Sequence, residues 1–307
     1  MSEGPTAPSV ITVVIPTFNH LPTLRICLEH LEAQTLTNFD VIVINDGSTD
    51  GTKAALTEIQ QRSPFRLQVL HQQNAGPARA RNVAIAHVTT DLCLLIGDDT
   101  LATPTVVESH LQFHCVNPDT KKAVIGWTQW DPVHQKITPF MQWYEKIQFD
   151  YEHLTAGRPV IWKHFYTSNL SFKTRLIREN PFDERFKSAV WEDIELAYRL
   201  TMNNNLQLTF LPNAVATHLH PTTFRQAIRR MRTVGRSERL FYETWPVARP
   251  SSHDRKMKIC NLPGERPSLL HAVTFAVERL PRLVKPGKLH AMLLRSHRHY
   301  GYIESNP

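Results

Sequence analysis

The sequence is poor in cysteine and has no long hydrophobic run. Its 307 residues include four cysteines, none in a CxxC pair or at a metal-ligand spacing, so we expect reduced thiols rather than disulfides or zinc sites. No apolar run reaches bilayer length, and the first residues, MSEGPTAPSV, lack the basic start and apolar stretch of a secretory signal. We expect a cytoplasmic protein, either soluble or peripheral on the inner face of the membrane. At 41% hydrophobic, the chain can bury the core of one large α/β domain or two modest ones.

Positive charge is scarce before residue 221 and concentrated after it. Residues 1–220 carry 18 Lys and Arg against 22 Asp and Glu, whereas residues 221–307 carry 17 against 6. This asymmetry predicts a surface for an anionic partner, and a solvated helical face is the alternative.

Between residues 224 and 241 the spacing places arginines beside apolar residues. The arginines are Arg225, Arg229, Arg230, Arg232, Arg236 and Arg239, and the apolar residues are Phe224, Ile228, Met231, Leu240 and Phe241. Such a helix is typical of contact with an anionic membrane surface; alternatively, these arginines pack by their stems on the rest of the protein.

Short β-rich apolar runs alternate with helical segments in the first hundred residues. The runs are at 10–15, 41–44, 67–70 and 92–96, and the helical segments are at 21–34, 51–62 and 77–87. Near-continuous apolar strands are typical of a sheet covered on both faces, and the alternation predicts parallel strands with right-handed crossovers. The fold class is therefore α/β, a doubly wound, mostly parallel, Rossmann-like sheet with a basic helical C-terminal extension at 221–307.

The pattern is less regular beyond residue 120. Residues 123–190 are rich in aromatic side chains, which predicts a lid or a binding surface for a second substrate. A helix is indicated at 191–200, a strand at 206–211, a second short strand ending at His220, and a helix from 221 to about 244.

Polar residues follow each early strand, at the edge where doubly wound sheets bind ligands. Asp98 and Asp99 follow a buried strand, and paired acids there are typical of a Mg²⁺ or Mn²⁺ site; the alternative is a turn and helix cap. Asp46 lies in a turn that contains Gly and Ser, where it either forms the turn or accepts a hydrogen bond from a nucleotide base. Arg79 and Arg81 lie early in a helix, where cations oppose the helix dipole and indicate a nearby anion; for one of them a surface salt bridge is favoured.

Glu192 and Asp193 open the helix near residue 191. They are either helix caps or supply a general base that takes a proton from a hydroxyl. His218 and His220 alternate on a strand-like run and could both face one side; the alternative is a structural or surface role, since the chain has 16 histidines.

In their order and spacing, these motifs resemble those of family 2 glycosyltransferases with the A-type fold. The motifs are VVIPTFN at 13–19, VINDGSTDG at 43–51, NAGPARARN at 74–82, GDD at 97–99, WEDIEL at 191–196 and HLH at 218–220. The resemblance covers about residues 10–240. It implies transfer of a sugar, with inversion, from a nucleotide-diphosphate donor to a hydroxyl of a glycan or lipid-linked acceptor. We expect a UDP-sugar, with GDP and dTDP as alternatives.

The resemblance also implies how the chain is divided. Residues 1–120 would form the nucleotide-sugar-binding half of the domain, and residues 121–220 its acceptor-binding and catalytic half. The nucleotide-sugar site would comprise Pro16, Thr17, Asn19, Asp46, Arg79, Arg81, Asp98 and Asn169. Arg79 and Arg81 would lie near the base or near the pair of aspartates.

Further roles follow from the same resemblance. Asp99 would be the main ligand of Mn²⁺ or Mg²⁺, with Asp98 and one of His218 and His220 completing the site. The family's metal motif usually carries acids at its first and third positions, and Gly97 stands at the first position here. Asp193 would be the general base, and Glu192 would orient donor or acceptor.

Two other functions use some of the same features. A nucleotidyltransferase could use a similar sheet and metal site, but the first strand is followed by PTFNH, which has neither the glycines nor the cations of a triphosphate-binding loop. A non-enzymatic protein that binds anions or nucleic acid would explain residues 221–307 but not the acidic strand ends. We therefore favour the transferase and expect no nucleic acid partner.

Overall fold

A computed structural model describes residues 9–149, 151–155, 157, 159–250, 267–279 and 285–304. The chain divides into two compact units. The first contains residues up to 135 together with 149–220, and the second contains residues 136–148 together with those from 221 onward.

The first unit is built on an eight-stranded sheet with the strand order β3-β2-β1-β4-β7-β6-β8-β5. The strands are β1 (Thr12–Thr17), β2 (Asp40–Asn45), β3 (Arg66–His71), β4 (Leu92–Ile96), β5 (Thr100–Ala102), β6 (Lys122–Trp130), β7 (Asn169–Lys173) and β8 (Gln207–His218). The pairs β1–β2, β2–β3, β1–β4 and β6–β8 are parallel. The pairs β4–β7, β5–β8 and β6–β7 are antiparallel. The sheet is thus mostly parallel, as predicted.

The helices follow the strands in chain order. They are α1 (Leu21–Glu32), α2 (Thr52–Arg62), α3 (Pro77–His87), α4 (Val106–Val116), α5 (Pro139–Gln148), α6 (Tyr151–Thr155), α7 (Thr174–Glu179), α8 (Glu192–Asn204), α9 (Phe224–Thr244), α10 (Pro267–Arg279) and α11 (Lys288–Glu304). Helices α5, α9, α10 and α11 belong to the second unit. No helix within the described ranges is long and apolar enough to cross a bilayer.

The core of the first unit explains why the early strands could be recognised. Every residue of β2 and β4 is buried, and so is every residue of β1 except Pro16. Helix α1 covers them with Leu24, Cys27, Leu28 and Leu31, which recur at helical spacing on its inner face. Because β1, β2, β3 and β4 run parallel, their carboxyl ends meet at one edge of the sheet.

The two strands predicted around residues 206–220 are one strand, β8. Its pairing with β6 shifts register between Gly126 and Trp127, where Gly126 pairs with Leu211 and Trp127 with Val215. Residues 212–214 form the irregular stretch between the two halves. The sequence pattern therefore detected both halves but not their continuity, and it did not indicate β5, β6 or β7.

In the second unit, the apolar face of α9 is partly buried. Ile228 is 6% exposed and Phe241 is completely buried. Phe224, Met231 and Leu240 of the same face are partly exposed, so the predicted contact of this helix with an anionic membrane surface stays a prediction.

The arginines of α9 also have partners inside the second unit. Arg225 pairs with Glu278, Arg236 with Glu304 and Arg239 with Glu243 at nitrogen-to-oxygen distances of 2.9, 3.2 and 2.7 Å. Arg232 donates to the imidazoles of His271 and His297. Arg229 and Arg230 are exposed, and within the described ranges no carboxylate pairs with them. Arg225, Arg232 and Arg236 thus connect α9 with α10 or α11, and Arg239 pairs within α9.

Two glycines set the close approach of α9 and α11. A Cβ on Gly301 would overlap the carbonyl oxygen of Arg232, and one on Gly235 would overlap that of Arg298. Gly301→Ala should therefore lower the free energy of unfolding by about 2–3 kcal/mol through overpacking, although Ala normally stabilises a helix relative to Gly. Urea unfolding measures the change. Arg295→Ala, at an exposed position of α11, should stay within about 0.5 kcal/mol. Equal values for the two variants would contradict the tight crossing.

Candidate functional site

Asn19 joins the carboxyl ends of β1 and β2. It has a left-handed backbone (φ 56°), which Asn tolerates better than most residues. Its Oδ1 accepts from the Thr49 backbone N–H at 2.7 Å, and its own N–H donates to Ser48 Oγ at 2.9 Å. The predicted nucleotide-site residues Pro16, Thr17 and Asn19 therefore lie together at this edge.

Phe18 lies in the same segment and was not predicted as a site residue. Its side chain is 44% exposed, although an aromatic ring normally gains by burial. Its position between the predicted binding residues Thr17 and Asn19 was the signal available in the sequence.

The carboxylate of Asp46 is held by three protein donors. Oδ1 accepts from Gln72 Nε2 at 2.6 Å and from the Ala75 N–H at 2.9 Å, and Oδ2 accepts from the Gly76 N–H at 2.9 Å. Asp46 is only 4% exposed. The carboxylate therefore fixes the turn that starts α3, and its predicted contact with a nucleotide base stays a prediction.

Asp99, His218 and His220 form a cluster where β4 and β8 end. Asp99 Oδ2 lies 3.2 Å from His218 Nε2 and 3.3 Å from His220 Nδ1. The two imidazole rings stack with centroids 5.4 Å apart, and the rings of Trp130 and Phe149 contact His218. Packing on several sides holds the His218 ring at the carboxylate, and the predicted alternation of His218 and His220 brings both rings to it.

A fourth and a fifth side chain extend this cluster. His20 Nδ1 lies 3.2 Å from Asp98 Oδ1, and ligand atoms of His20, Asp98 and Asp99 lie within 4.8 Å of one another. His20 was not predicted, although it directly follows Asn19 and is the first residue after the β1 motif. The cluster thus contains three imidazoles and two carboxylates.

Burial and charge act against each other in the cluster. Burial opposes the ionisation of Asp99, but His218 and His220 outweigh it and hold the pKa of Asp99 well below its usual range. Burial raises the pKa of Asp98, against the hydrogen bond from His20. That hydrogen bond, with the charges of the two carboxylates, raises the pKa of His20 to about 9 in spite of its burial. Asp99 is therefore the carboxylate that is firmly ionised at neutral pH.

The donor set fits a divalent cation. Neighbouring ligand atoms of an octahedral ion with bonds of about 2.1 Å lie about 3 Å apart, close to the 3.2 and 3.3 Å that separate Asp99 Oδ2 from the two imidazole nitrogens. The carboxylate is a ligand that suits Mg²⁺ and Mn²⁺, and the imidazole nitrogens are ligands for divalent transition-metal ions. A Cβ on Gly97 would lie 2.8 Å from Asp99 Oδ1 and 2.9 Å from Thr100 Oγ1, so these two side chains occupy the space that a side chain at position 97 would need.

Residues that follow β6 hold the end of β8 in place. Asp131 donates its N–H to the His218 carbonyl at 3.1 Å, and its carboxylate accepts from Thr217 Oγ1 at 3.0 Å. Gln135 Nε2 donates to the same His218 carbonyl at 2.6 Å. These contacts orient the backbone that carries His218. Nothing in the sequence distinguished Asp131 or Gln135.

Arg81 and Glu192 pair with each other. Arg81 Nη1 donates to Glu192 Oε1 at 2.8 Å, and the two side chains are 9% and 2% exposed. The anion expected beside Arg81 is therefore Glu192, and the expectation that this arginine lies near the base or the aspartates stays a prediction. Arg79 instead forms a half-exposed ion pair with Glu184 at 3.2 Å, the surface salt bridge favoured for one of the two arginines.

Asp193 lies in the first turn of α8 and is half-buried. Its Oδ1 accepts from the Ile194 N–H at 2.8 Å. The preceding residue, Glu192, is 1% exposed, so of the two predicted catalytic acids Asp193 is the more accessible.

Asn169 is buried and hydrogen-bonded within the sheet. It is 1% exposed, its Nδ2 donates to the Ala214 carbonyl at 2.9 Å, and its Oδ1 accepts from His110 Nε2 at 2.9 Å. His110 Nδ1 in turn lies 2.7 Å from Ser171 Oγ. The amide group thus has partners inside the sheet, and its predicted contact with a donor sugar stays a prediction.

Comparison with known proteins gives a family match over more than half of the chain. The model described as glycosyl transferase family 2 matches residues 12–186. Validoxylamine A glucosyltransferase of Streptomyces hygroscopicus subsp. jinggangensis is 30% identical over an alignment of length 220, which covers 62% of this chain and 51% of that protein. The uncharacterized glycosyltransferase YibD of Escherichia coli is 35% identical over 99 residues, 32% of this chain and 28% of that one. The chain spans about half the length of the first relative.

Solved structures share the fold at low sequence identity. The mannosyltransferase PcManGT from Pyrobaculum calidifontis, in complex with GDP-Man and Mn²⁺, has a TM-score of 0.63 at 17% identity and covers 100% of this chain and 90% of that one. S. aureus TarS 1–349 in complex with UDP-GlcNAc has a TM-score of 0.51 at 19% identity and covers 95% and 89%.

Proposed function

The chain belongs to glycosyl transferase family 2, and from this premise we propose that it transfers a sugar from a nucleotide-diphosphate donor to an acceptor hydroxyl with inversion of the anomeric carbon. The observation that carries the proposal is the cluster of Asp99, His218 and His220 at the sheet edge where the strand-end motifs meet. We propose a UDP-sugar as donor, with a GDP-sugar as the alternative. The relatives include structures bound to each type of donor, UDP-GlcNAc and GDP-Man.

The nucleotide would bind along the end of β1. Thr17 and Asn19 offer polar groups there, and the exposed ring of Phe18 offers a face on which a base can stack. This placement follows the general rule that doubly wound sheets bind ligands outside the carboxyl ends of their strands.

Asp99, His218 and His220 would hold a divalent cation, with Asp98 beside them. When bound, such an ion neutralises negative charge on the departing diphosphate. The contribution of the protein is to keep an ionised carboxylate and two imidazoles in place: Trp130 packs on the His218 ring, and Asp131 orients its backbone.

Asp193 would act as the general base. Its carboxylate takes the proton from the acceptor hydroxyl while the hydroxyl oxygen forms a bond to the anomeric carbon and the bond from that carbon to the diphosphate oxygen breaks. One base and one displacement suffice, so no covalent sugar intermediate is needed. A glycan and a lipid-linked sugar both present such a hydroxyl, and we propose an acceptor of this kind.

A thermal-shift panel tests the proposed donor. UDP, GDP, dTDP and CDP are each added with and without Mn²⁺, since a ligand that binds only the native state raises its melting temperature by mass action. We expect the largest rise with UDP plus Mn²⁺ and little rise when EDTA replaces the metal. A larger rise with GDP would replace the donor assignment and keep the transferase; no rise with any nucleotide would contradict the proposed function.

A further inference from the structure

The ion pair between Arg81 and Glu192 joins two parts of the first unit that lie far apart in the sequence. Arg81 is in α3, and Glu192, 111 residues later, is the first residue of α8. Both side chains are buried. Removing two charges from water costs free energy. Their mutual attraction offsets that cost only when their remaining polar atoms also have hydrogen-bond partners.

Those remaining atoms are not satisfied. Within the described ranges, Arg81 Nε and Glu192 Oε2 are buried and have no hydrogen-bond partner. A buried ion pair with unpartnered polar atoms adds little to the free energy of unfolding. Two apolar residues of similar size would fill the same space without the desolvation penalty. Its presence therefore needs a reason other than stability.

The entry of the chain into α8 supplies a reason. Trp191, directly before Glu192, has a left-handed backbone with φ 72°, a conformation that is costly for a bulky residue and persists only where the surroundings enforce it. This residue sets the direction in which α8 begins. Glu192 and Asp193 are the next two residues, so a contact that holds Glu192 also fixes where Asp193 lies.

Other contacts bind the preceding segment to α3. Asn82 Nδ2 donates to the Phe182 carbonyl at 2.9 Å, and Phe182 N–H donates to Asn82 Oδ1 at 2.8 Å. The Arg81 guanidinium lies 5.6 Å from the centroid of the Phe182 ring. Gly76, whose N–H is bound by Asp46, approaches the Lys187 carbonyl so closely that a Cβ would lie 2.6 Å from it. Helix α3 thus holds both the turn beside Asp46 and the segment that leads to Asp193.

We propose that Arg81 and Glu192 are a positioning pair that sets Asp193 for proton transfer and does not itself contact substrate. The inference rests on the proposed role of Asp193. It differs from the role that family resemblance implies for Glu192, because a carboxylate that is 1% exposed and bound to Arg81 has no free face to offer a sugar.

The test replaces both charges at once. A single Arg81→Met change would strand a buried carboxylate and could prevent folding, so the informative variant is Arg81→Met/Glu192→Leu. We expect an unfolding midpoint in urea no lower than that of the wild type, and dissociation constants for UDP and Mn²⁺ within twofold. The rate of nucleoside diphosphate release should fall about 10- to 100-fold, as for a misplaced catalytic group. The probes are UDP-glucose, UDP-N-acetylglucosamine and GDP-mannose, with water as acceptor.

A matched control uses an arginine–glutamate pair outside the proposed site. Arg175→Met/Glu179→Leu makes the same two substitutions in an exposed ion pair of α7, where the nitrogen-to-oxygen distance is 2.6 Å. Its release rate should match that of the wild type. A conservative Arg81→Lys change keeps the charge and should retain more activity than the double variant.

Combination with Asp193→Asn separates failure of this inference from failure of the proposed function. If the pair acts through Asp193, then Arg81→Met/Glu192→Leu/Asp193→Asn should be no slower than Asp193→Asn alone, because residues that act as a unit are non-additive. Full additivity, or an unchanged rate in the double variant, overturns the positioning role. Loss of UDP affinity in the double variant would instead place the pair in contact with the donor. Wild-type activity of Asp193→Asn would overturn the general base itself.

Discussion

Asp193→Asn should lower the turnover number by about two to four orders of magnitude, the usual contribution of a general base. The amide has the size of the carboxylate and its oxygen can still accept from the Ile194 N–H, so the first turn of α8 should be unchanged. It cannot take a proton from the acceptor at neutral pH. Steady-state release of nucleoside diphosphate gives kcat and the donor KM, and we expect only kcat to change.

Asp91→Asn is the matched control, because Asp91 is an exposed aspartate of the same unit and should leave kcat unchanged. Equal melting temperatures for both variants would establish that folding is intact. If Asp193→Asn is mild while Glu192→Gln abolishes turnover and leaves UDP binding intact, Glu192 rather than Asp193 is the base.

The early strands were predictable from the sequence because burial decides both their composition and their pairing. Each residue of Asp40–Asn45 and Leu92–Ile96 is buried, and the corresponding apolar runs could hardly form anything but central strands. Strand β8 was harder to predict, because six of its twelve residues are only half-buried and its pairing with β6 is interrupted at residues 212–214. Strands β6 and β7 lie among aromatic residues with no simple period, and their antiparallel pairing is not encoded locally.

The site residues also divide into those that the sequence could predict and those that it could not. Asp98, Asp99, His218 and His220 could be proposed because each follows or ends a strand and carries a metal-binding group. The partners of the buried polar residues could not be predicted from the sequence, because they depend on contacts between residues that are distant in sequence. Arg81 meets Glu192 across 111 positions, and Asn169 meets His110 across 59. In both cases the residue type indicated that a polar contact would form, and only the fold determined which residue would be the partner.

Asp99→Ala should remove most of the Mn²⁺-dependent affinity for UDP, by about 100-fold or more. The substitution deletes the one carboxylate that both His218 and His220 face, and loss of such a ligand group leaves the two imidazoles without an anionic partner for the ion. The main chain should stay in place because the Leu219 N–H donates to the Asp99 carbonyl at 2.7 Å, a bond that Ala retains. Isothermal titration of UDP in Mn²⁺ and in EDTA measures the metal-dependent part directly.

Asp119→Ala, which removes an exposed aspartate of the same unit, provides the comparison and should bind UDP as the wild type does in both buffers. In EDTA, Asp99→Ala and the wild type should also bind UDP equally weakly, because the contacts from the β1 end are intact in both. Unchanged Mn²⁺-dependent affinity in Asp99→Ala would mean that the cation is held elsewhere. Weaker binding in EDTA as well would mean that Asp99 supports the nucleotide pocket itself rather than the ion.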